Sequence, residues 1–378
     1  MEHHIDELRI DSLRRLRDLH LPQLGRFNLL VGENNSGKTT ALEALALFCR
    51  PLDPLDWLDV ARRRAIKSSR ESVLENVRWL FPQNSADAND AYYQGEVRIQ
   101  GQGNFPCLES VARFNGFGAF DEESLPASAH DEDEESAGSS GREVRGAEIT
   151  LLAHVPQDRS TEFDANPDGI LSYRFELLED ERFTRREPPG KLQLPLSTVS
   201  PFSHRVEQLQ VRQFTEATLT QEKFSVVECV NLIDGDVAAL EILSRQGKRP
   251  ALWVQHKTLG YAPLYTLGDG VRRVLTIALG LIEAQNGVLL IDEIETAIHK
   301  DALVAVFQWL VRAAAYYNVQ LFATTHSLEA VDAVLMAELQ ETEELVAFRL
   351  PENGNGQAKR FSGELLDNLR FERGLDIR

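Results

Sequence analysis

Gly32-Glu33-Asn34-Asn35-Ser36-Gly37-Lys38-Thr39 reads G-x-x-x-x-G-K-T, and the residues on either side give it a setting. Before it, Phe27 to Val31 (FNLLV) is an apolar run of strand length. After it, Thr40 to Phe48 (TALEALALF) has helical composition. Strand, glycine-rich loop and helix in that order form a phosphate-binding loop. Glycines let successive backbone N–H groups turn inward as a concave anion nest. The helix N-terminus adds unpaired donors and a partial positive charge. Candidate phosphate contacts are Gly32, Asn34, Asn35, Ser36, Gly37, Lys38, Thr39 and Thr40. Lys38 has the reach for the β/γ-phosphates of a nucleotide, and the Thr39 hydroxyl is a ligand for Mg²⁺.

Three later stretches supply the rest of such a site. Val288-Leu289-Leu290-Ile291-Asp292-Glu293 is an apolar strand ending in two acids. Asp292 is the candidate second metal support, and Glu293 the candidate group that orients or deprotonates the attacking water. Phosphoryl transfer needs mainly positioning and charge neutralisation, which these two carboxylates provide. Phe322-Ala323-Thr324-Thr325-His326-Ser327 is another strand with a polar end, and His326 is a candidate donor to the γ-phosphate or to the water. Leu267-Gly268-Asp269-Gly270-Val271-Arg272-Arg273 is a glycine turn feeding a helix. Its N-terminal dipole makes Gly268, Asp269 and Gly270 a second anion site. Two phosphate sites on one chain make sense if this one meets a nucleotide held by another subunit.

Outward from these, residues 5–21 suggest an opening strand and hairpin, and helical character runs from Asp59 to Leu80. Strand-like patterning occupies residues 91–120, Ile149 to Val155 and Ile170 to Leu178. Asp121 to Arg145 carries two acidic clusters and a Ser/Gly tract, too polar to order itself, and reads as a disordered insertion. Pro188, Pro189, Pro195 and Pro201 mark a loop-rich link, and residues 205–222 look helical. Val226 to Leu243 reads as helix then strand, with a hairpin at Trp253–Leu259 and Pro263–Tyr265. Val271–Gln285, Ala302–Tyr317 and Leu328–Leu339 read as helices around strands Val288–Ile291 and Gln320–Ala323. That alternation argues for a parallel sheet with helices packed on it. The tail from Phe361 looks like a closing helix.

Composition excludes several classes. No apolar run has the length of a membrane span, and the polar N-terminus (MEHHIDELR) is not a secretory signal. Cys49, Cys107 and Cys229 lack metal-ligand spacing, which fits a reducing cytoplasm. A net charge of −19 repels DNA on average. Arg14, Arg15 and Arg17 read as a solvated face. Arg62, Arg63, Arg64, Lys67 and Arg70 form the one stretch that suits a phosphate backbone, the basis of an alternative reading as a nucleotide-gated DNA-binding or scaffold protein with little hydrolysis.

The order of the motifs resembles ABC-type ATPases. Gly270 precedes Asp292 by 22 residues (292−270), and His326 follows it by 34 (326−292). More closely, LGDGVRR, LLIDEIETAIH and FATTHSLEA resemble the OLD-like and RecF-like branch, over roughly residues 5–50 and 200–340. Glu295 and His299 match that branch's DExE…H pattern, with a role either in ordering the loop or in a dimer contact. The resemblance implies an α/β P-loop NTPase of the ABC-type head kind, with a mostly parallel central sheet, an antiparallel β lobe and a mid-chain insertion. It implies an ATPase core at 1–50 and 200–345, an inserted lobe at 51–199 and a tail at 346–378 of a single head. It also implies a homodimer that sandwiches two ATP molecules with Mg²⁺ and controls DNA contact or a nuclease or other effector in DNA repair or phage defence. Only 52 residues (378−326) follow His326, too few for the TOPRIM nuclease of OLD-like proteins, so a nuclease would be a separate protein. Two departures stand out. Gly268 occupies the place of the transporters' signature Ser, which counts with the acidic surface against a transporter subunit. The lobe-bridging Gln has only Gln83 (WLFPQ) as a candidate.

Overall fold

The protein was analysed as a computed structural model that describes residues 3–64, 72–84, 90–120, 143–179, 191–244, 249–338, 344–352 and 354–378. The chain opens with the hairpin β1 (Glu7–Leu13) and β2 (Leu16–Leu21), then β3 (Phe27–Val31) leads through the glycine-rich loop into α1 (Lys38–Cys49). The helical stretch at 59–80 resolves into α2 (Pro54–Arg62) and α3 (Val73–Arg78). Asp53 caps α2 by accepting the Leu55 amide, with Pro54 at the first helical position where its missing N–H costs nothing. Strands β4 (Gln94–Gln102), β5 (Glu109–Phe120), β6 (Glu143–His154) and β7 (Ile170–Leu178) form a meander. The acidic segment expected at 121–145 lies outside the described residues except for its last three, which belong to β6.

Then come β8 (Leu196–Val199), α4 (Glu207–Leu219), α5 (Lys223–Asn231) and β9 (Val237–Leu243). The hairpin is β10 (Ala251–His256) with β11 (Gly260–Pro263), so its second strand starts earlier than its sequence suggests, and Leu264–Thr266 is a 3-10 turn. Pro263 is tolerated because β11 is an edge strand. The remaining elements are α6 (Asp269–Glu283), β12 (Val288–Ile291), α7 (Lys300–Tyr316), β13 (Gln320–Thr324) and α8 (Leu328–Glu338). The chain closes with β14 (Leu345–Arg349), β15 (Asn355–Gln357), β16 (Lys359–Ser362) and the short α9 (Gly363–Asp367).

Among the described residues one six-stranded sheet runs β16-β14-β3-β13-β12-β8, parallel except for β16. A seven-stranded sheet, β15-β2-β1-β4-β5-β6-β7, is antiparallel except where β15 meets β2. It joins the opening hairpin to the meander β4–β7. Two strands of the parallel sheet come from stretches not marked as strands by sequence. One is β8, inside the proline-rich link. The other is β14, beside the phosphate-loop strand at the start of the expected tail. Both are short and buried, and their pairing is supplied by neighbours distant in sequence.

Strand periodicity divides the core in two. Phe27, Leu29 and Val31 face one apolar cluster while Leu30 faces the other, and in β12 Leu289 and Ile291 oppose Val288 and Leu290. Helix α1 is buried nearly all round, between the two sheets, while α6, α7 and α8 pack on the other face. A parallel sheet covered on both faces needs such continuously apolar strands. Because β3, β13 and β12 are adjacent and parallel, with Thr324 opposite Leu30 and Ile291 opposite Ala323, their carboxyl ends open onto one edge. This is the α/β P-loop NTPase fold expected from the sequence.

Candidate functional site

At that edge the glycines act through backbone geometry. Gly37 caps α1 with φ +93°, and a Cβ there would sit 2.4 Å from Leu16 Cδ2. Gly32 has φ +143°, so both positions favour glycine sterically. Lys38 folds back over the loop. Its ammonium donates to Gly32 O and Glu33 O, each at 2.8 Å. Burial lowers its pKa to about 8, against the opposing pull of Asp292, Glu293 and Glu295. The ammonium therefore occupies loop carbonyls that a phosphate would release.

Thr39 is exposed and its hydroxyl donates to Asp292 Oδ2 at 3.1 Å, across a sequence gap of 253 residues. A hydroxyl and a carboxylate side by side form a hard oxygen donor set that fits Mg²⁺. The other Asp292 oxygen accepts from Thr324 Oγ1 at 2.6 Å, and that same hydroxyl accepts the Glu293 amide at 2.9 Å. Thr324 thus orients both acids. Sequence reading passed it over, though a buried hydroxyl closing an apolar strand was the available signal. Glu293 itself has φ +50°, a strained backbone for a non-glycine residue, and its carboxylate accepts from Thr296 Oγ1 at 2.9 Å.

His326 shares this electrostatic neighbourhood. Its pKa is lowered by burial first and by Lys38 second, against the pull of Glu293, Glu295 and Asp292. Its amide donates to Glu295 Oε1 at 3.1 Å, while His299, the other half of that pattern, is exposed and caps α7 by accepting the Asp301 amide. Lys38, Thr39, Asp292, Glu293 and His326 therefore lie together at this edge.

The glycine turn Gly268–Gly270 stands apart. Its hydrogen-bond and ion-pair partners are Arg205, Arg272 and His204, and among the described residues no hydrogen bond joins it to the phosphate loop. Gly268 and Asp269 are exposed, and a Cβ on Gly268 would meet nothing within 4 Å. Asp269 is matched by Arg205 and Arg272, both at 3.4 Å, which offsets its repulsion of a phosphate. Arg273, fully buried, links this helix to the acidic edge by donating to the backbone oxygens of Asp292 and Glu293 at 2.9 Å and to Ser200 O. Burial lowers its pKa to about 10.

His204, 2% exposed, has neither ring nitrogen hydrogen-bonded and lies 3.8 Å from Asp269. Burial depresses its pKa below 6.5, with Asp269 opposing and Arg273, Arg205 and Arg272 assisting. Folding favours the neutral ring, so its stabilising contribution is complete above pH 6.5 and drains as the pH falls through the depressed value. Denaturant titrations from pH 7.5 to 5.5 should show stability falling in acid, and His204→Gln should flatten that slope. Equal slopes in both proteins would refute the assignment.

Two basic readings change. Arg14 is not a solvated face, because its guanidinium is largely buried on Glu43 at 2.9 Å. Arg64 also pairs with Glu43 at 2.8 Å and donates to Thr40 Oγ1 at 2.8 Å, so it is committed to α1 rather than free for a DNA backbone. Lys67 and Arg70 lie outside the described residues. Gln83 donates to Arg78 O at 3.1 Å and lines a cavity of about 950 Å³ with Asn35, Gly37, Arg15 and Trp79. It therefore sits on the outer flank of the loop, whereas the strand beside β12 is β8, ending near Ser200.

Asp234, Asp236 and His256 form the other cluster of ligand-type side chains among the described residues. There His256 Nδ1 accepts the amides of Thr258 and Leu259 at 3.3 and 3.2 Å. That leaves the ring proton on Nε2, facing Asp234, so the cluster is closed by hydrogen bonds rather than open to a cation.

The family described as "AAA domain, putative AbiEii toxin, Type IV TA system" matches residues 27–103 and 111–332. An uncharacterized protein of Methanocaldococcus jannaschii is 35% identical over 115 residues, which is 30% of this chain and 99% of that protein. A second uncharacterized protein of that organism is 46% identical over 44 residues, 12% of this chain and 20% of its own length. Among solved structures, the Smc head bound to the C-winged helix domain of ScpA is 11% identical, with 98% of this chain and 99% of that one covered and a TM-score of 0.46. The SMC head domain from Thermotoga maritima is 11% identical, with 95% and 98% covered and a TM-score of 0.38. Among the described residues no helix is long and apolar enough to cross a membrane.

Proposed function

The chain belongs to this AAA-domain family, and from that premise we propose that it binds ATP with Mg²⁺, hydrolyses it, and pairs with a second copy of itself when ATP is bound. One observation carries the reading: the Thr39 hydroxyl beside the phosphate loop meets the Asp292 carboxylate at 3.1 Å. Thr39 and Asp292 would hold Mg²⁺, which when bound neutralises charge on the β- and γ-phosphates. Lys38 leaves Gly32 O and Glu33 O for the phosphates. Glu293 orients the water and takes its proton. The water oxygen bonds to the γ-phosphorus as the bond to the β–γ bridging oxygen breaks, and ADP departs with that electron pair. His326 donates to the γ-phosphate.

The exposed Gly268–Gly270 turn supports the pairing, since α6 presents its N-terminus outward with Asp269 already matched by arginines. A family description that names a toxin and a type IV toxin–antitoxin system supports a role in defence, and the motif resemblance supports a separate nuclease or other effector as what the head controls. The DExE…H pattern at Glu295 and His299 supports the OLD-like branch of the ABC-type ATPases. The test is ATP turnover together with sedimentation in ATP, ADP and a non-hydrolysable ATP analogue, all with Mg²⁺. Turnover with analogue-dependent dimers is expected. A monomer under every nucleotide would end the sandwich, and absent turnover would end the hydrolytic reading.

A further inference from the structure

Glu295 is the residue of the acidic turn that the scheme above leaves without a task. It lies three positions past Asp292 in a turn held by three backbone bonds. The Ile294 amide donates to Thr324 O at 3.0 Å, the Thr296 amide to Glu293 O at 3.0 Å, and the Ile298 amide to Glu295 O at 3.1 Å. Ile294 is fully buried, and Glu293 and Ala297 both have positive φ, so the turn is pinned and its side chains are aimed. The Glu295 carboxylate is used on one side only. Oε1 accepts the His326 amide at 3.1 Å, while Oε2 is buried with no hydrogen-bond partner.

A buried carboxylate oxygen without a donor is costly, so it calls for a partner that another state of the site supplies. The carbonyl side of His326 is held as well, by Arg378 at 2.9 Å. Its main chain is thereby clamped from both directions, while among the described residues no hydrogen bond engages its ring. Glu295 acts on the ring electrostatically.

We infer that Glu295 is the positioning residue of His326: Oε1 fixes the histidine's main chain, and, when the ring between the two anions takes up a second proton from solvent, Oε2 receives one imidazole N–H and the γ-phosphate the other. A side chain held at both ends loses less freedom on engaging the phosphate, and the sensor becomes directional. This rests on the reading of His326 as the γ-phosphate donor. Two other buried donors lie in the same field. Lys38 is committed to the loop carbonyls and then to phosphate. Arg273 Nε is itself unpartnered and is the rival for Oε2.

Glu295→Gln separates the possibilities, because its amide oxygen can still accept the His326 N–H while its NH₂ cannot accept from the ring. The expected result is a fall in kcat of about tenfold or more, ATP affinity within about twofold of wild type, and no further loss when combined with His326→Ala. Wild-type kcat, a loss that multiplies with that of His326→Ala, or a loss confined to thermal stability as the Arg273 pairing would give, each overturns the inference. Should the glutamine variant not fold by circular dichroism, Glu295→Asp carries the same cycle, since its shortened carboxylate cannot span both sites. Failure here is distinguishable from failure of the underlying reading: in the first case His326→Ala slows hydrolysis while Glu295→Gln does not, in the second His326→Ala itself leaves kcat at the wild-type value.

Discussion

Lys38→Ala should weaken ATP binding by at least about 100-fold, equivalent to about 2.7 kcal/mol. The size follows from what the ammonium does. It is a buried cation whose partners are two loop carbonyls and, at 3.4 Å, the Ser36 hydroxyl, and its pKa of about 8 reflects the cost of that burial. A triphosphate would replace neutral carbonyls with anionic oxygens, and charge-assisted bonds of this kind are roughly twice as strong as neutral ones. Alanine removes that exchange. Folding should suffer little, because α1 is anchored by the apolar residues from Ala41 to Cys49, all buried. Equilibrium binding of a fluorescent ATP analogue measures the loss, with circular dichroism as the check on folding. Affinity within a few-fold of wild type would remove the loop from the site.

Glu293→Gln should leave ATP binding intact, slow hydrolysis by about 10²–10³-fold and trap the ATP-bound dimer. General base catalysis contributes on that scale. Glutamine keeps the volume, the left-handed backbone and an oxygen for the Thr296 hydroxyl, so the turn is undisturbed. What it loses is the ability to take a proton. The contrast with Lys38→Ala is informative, since one variant stops before binding and the other after it. Single-turnover hydrolysis and sedimentation with ATP–Mg²⁺ read the two consequences separately. Turnover at the wild-type rate would strip Glu293 of its role.

The parts of this molecule that could be read from the chain are local. The strand, loop and helix at 27–48, the apolar strand ending at Asp292 and the strand Gln320–Ala323 each announce themselves within a short contiguous stretch. Strand β8 did not, because Pro195 and Pro201 flank a four-residue strand whose pairing comes from β12. Nor did β14, which gains its place only by lying against β3. The arginines show the same limit. A run of charge looks solvated in one dimension, yet Arg14 and Arg64 converge on Glu43, and Arg273 passes through the core to backbone oxygens nearly twenty residues away.

By itself, then, the chain determined the chemistry: which residues can hold phosphate and metal, which acid can face water, and which strands must be buried on both faces. Glycine spacing, apolar runs and strand-end acids are properties of adjacent residues, so they survive without coordinates. The tertiary structure alone decided the partnerships: Thr324 between two acids, Glu295 on the His326 amide, Lys38 turned onto its own loop. The first two depend on which strand ends lie side by side, which the parallel sheet sets by packing β13 against β12, and the third on the curl of the loop that β3 feeds into α1.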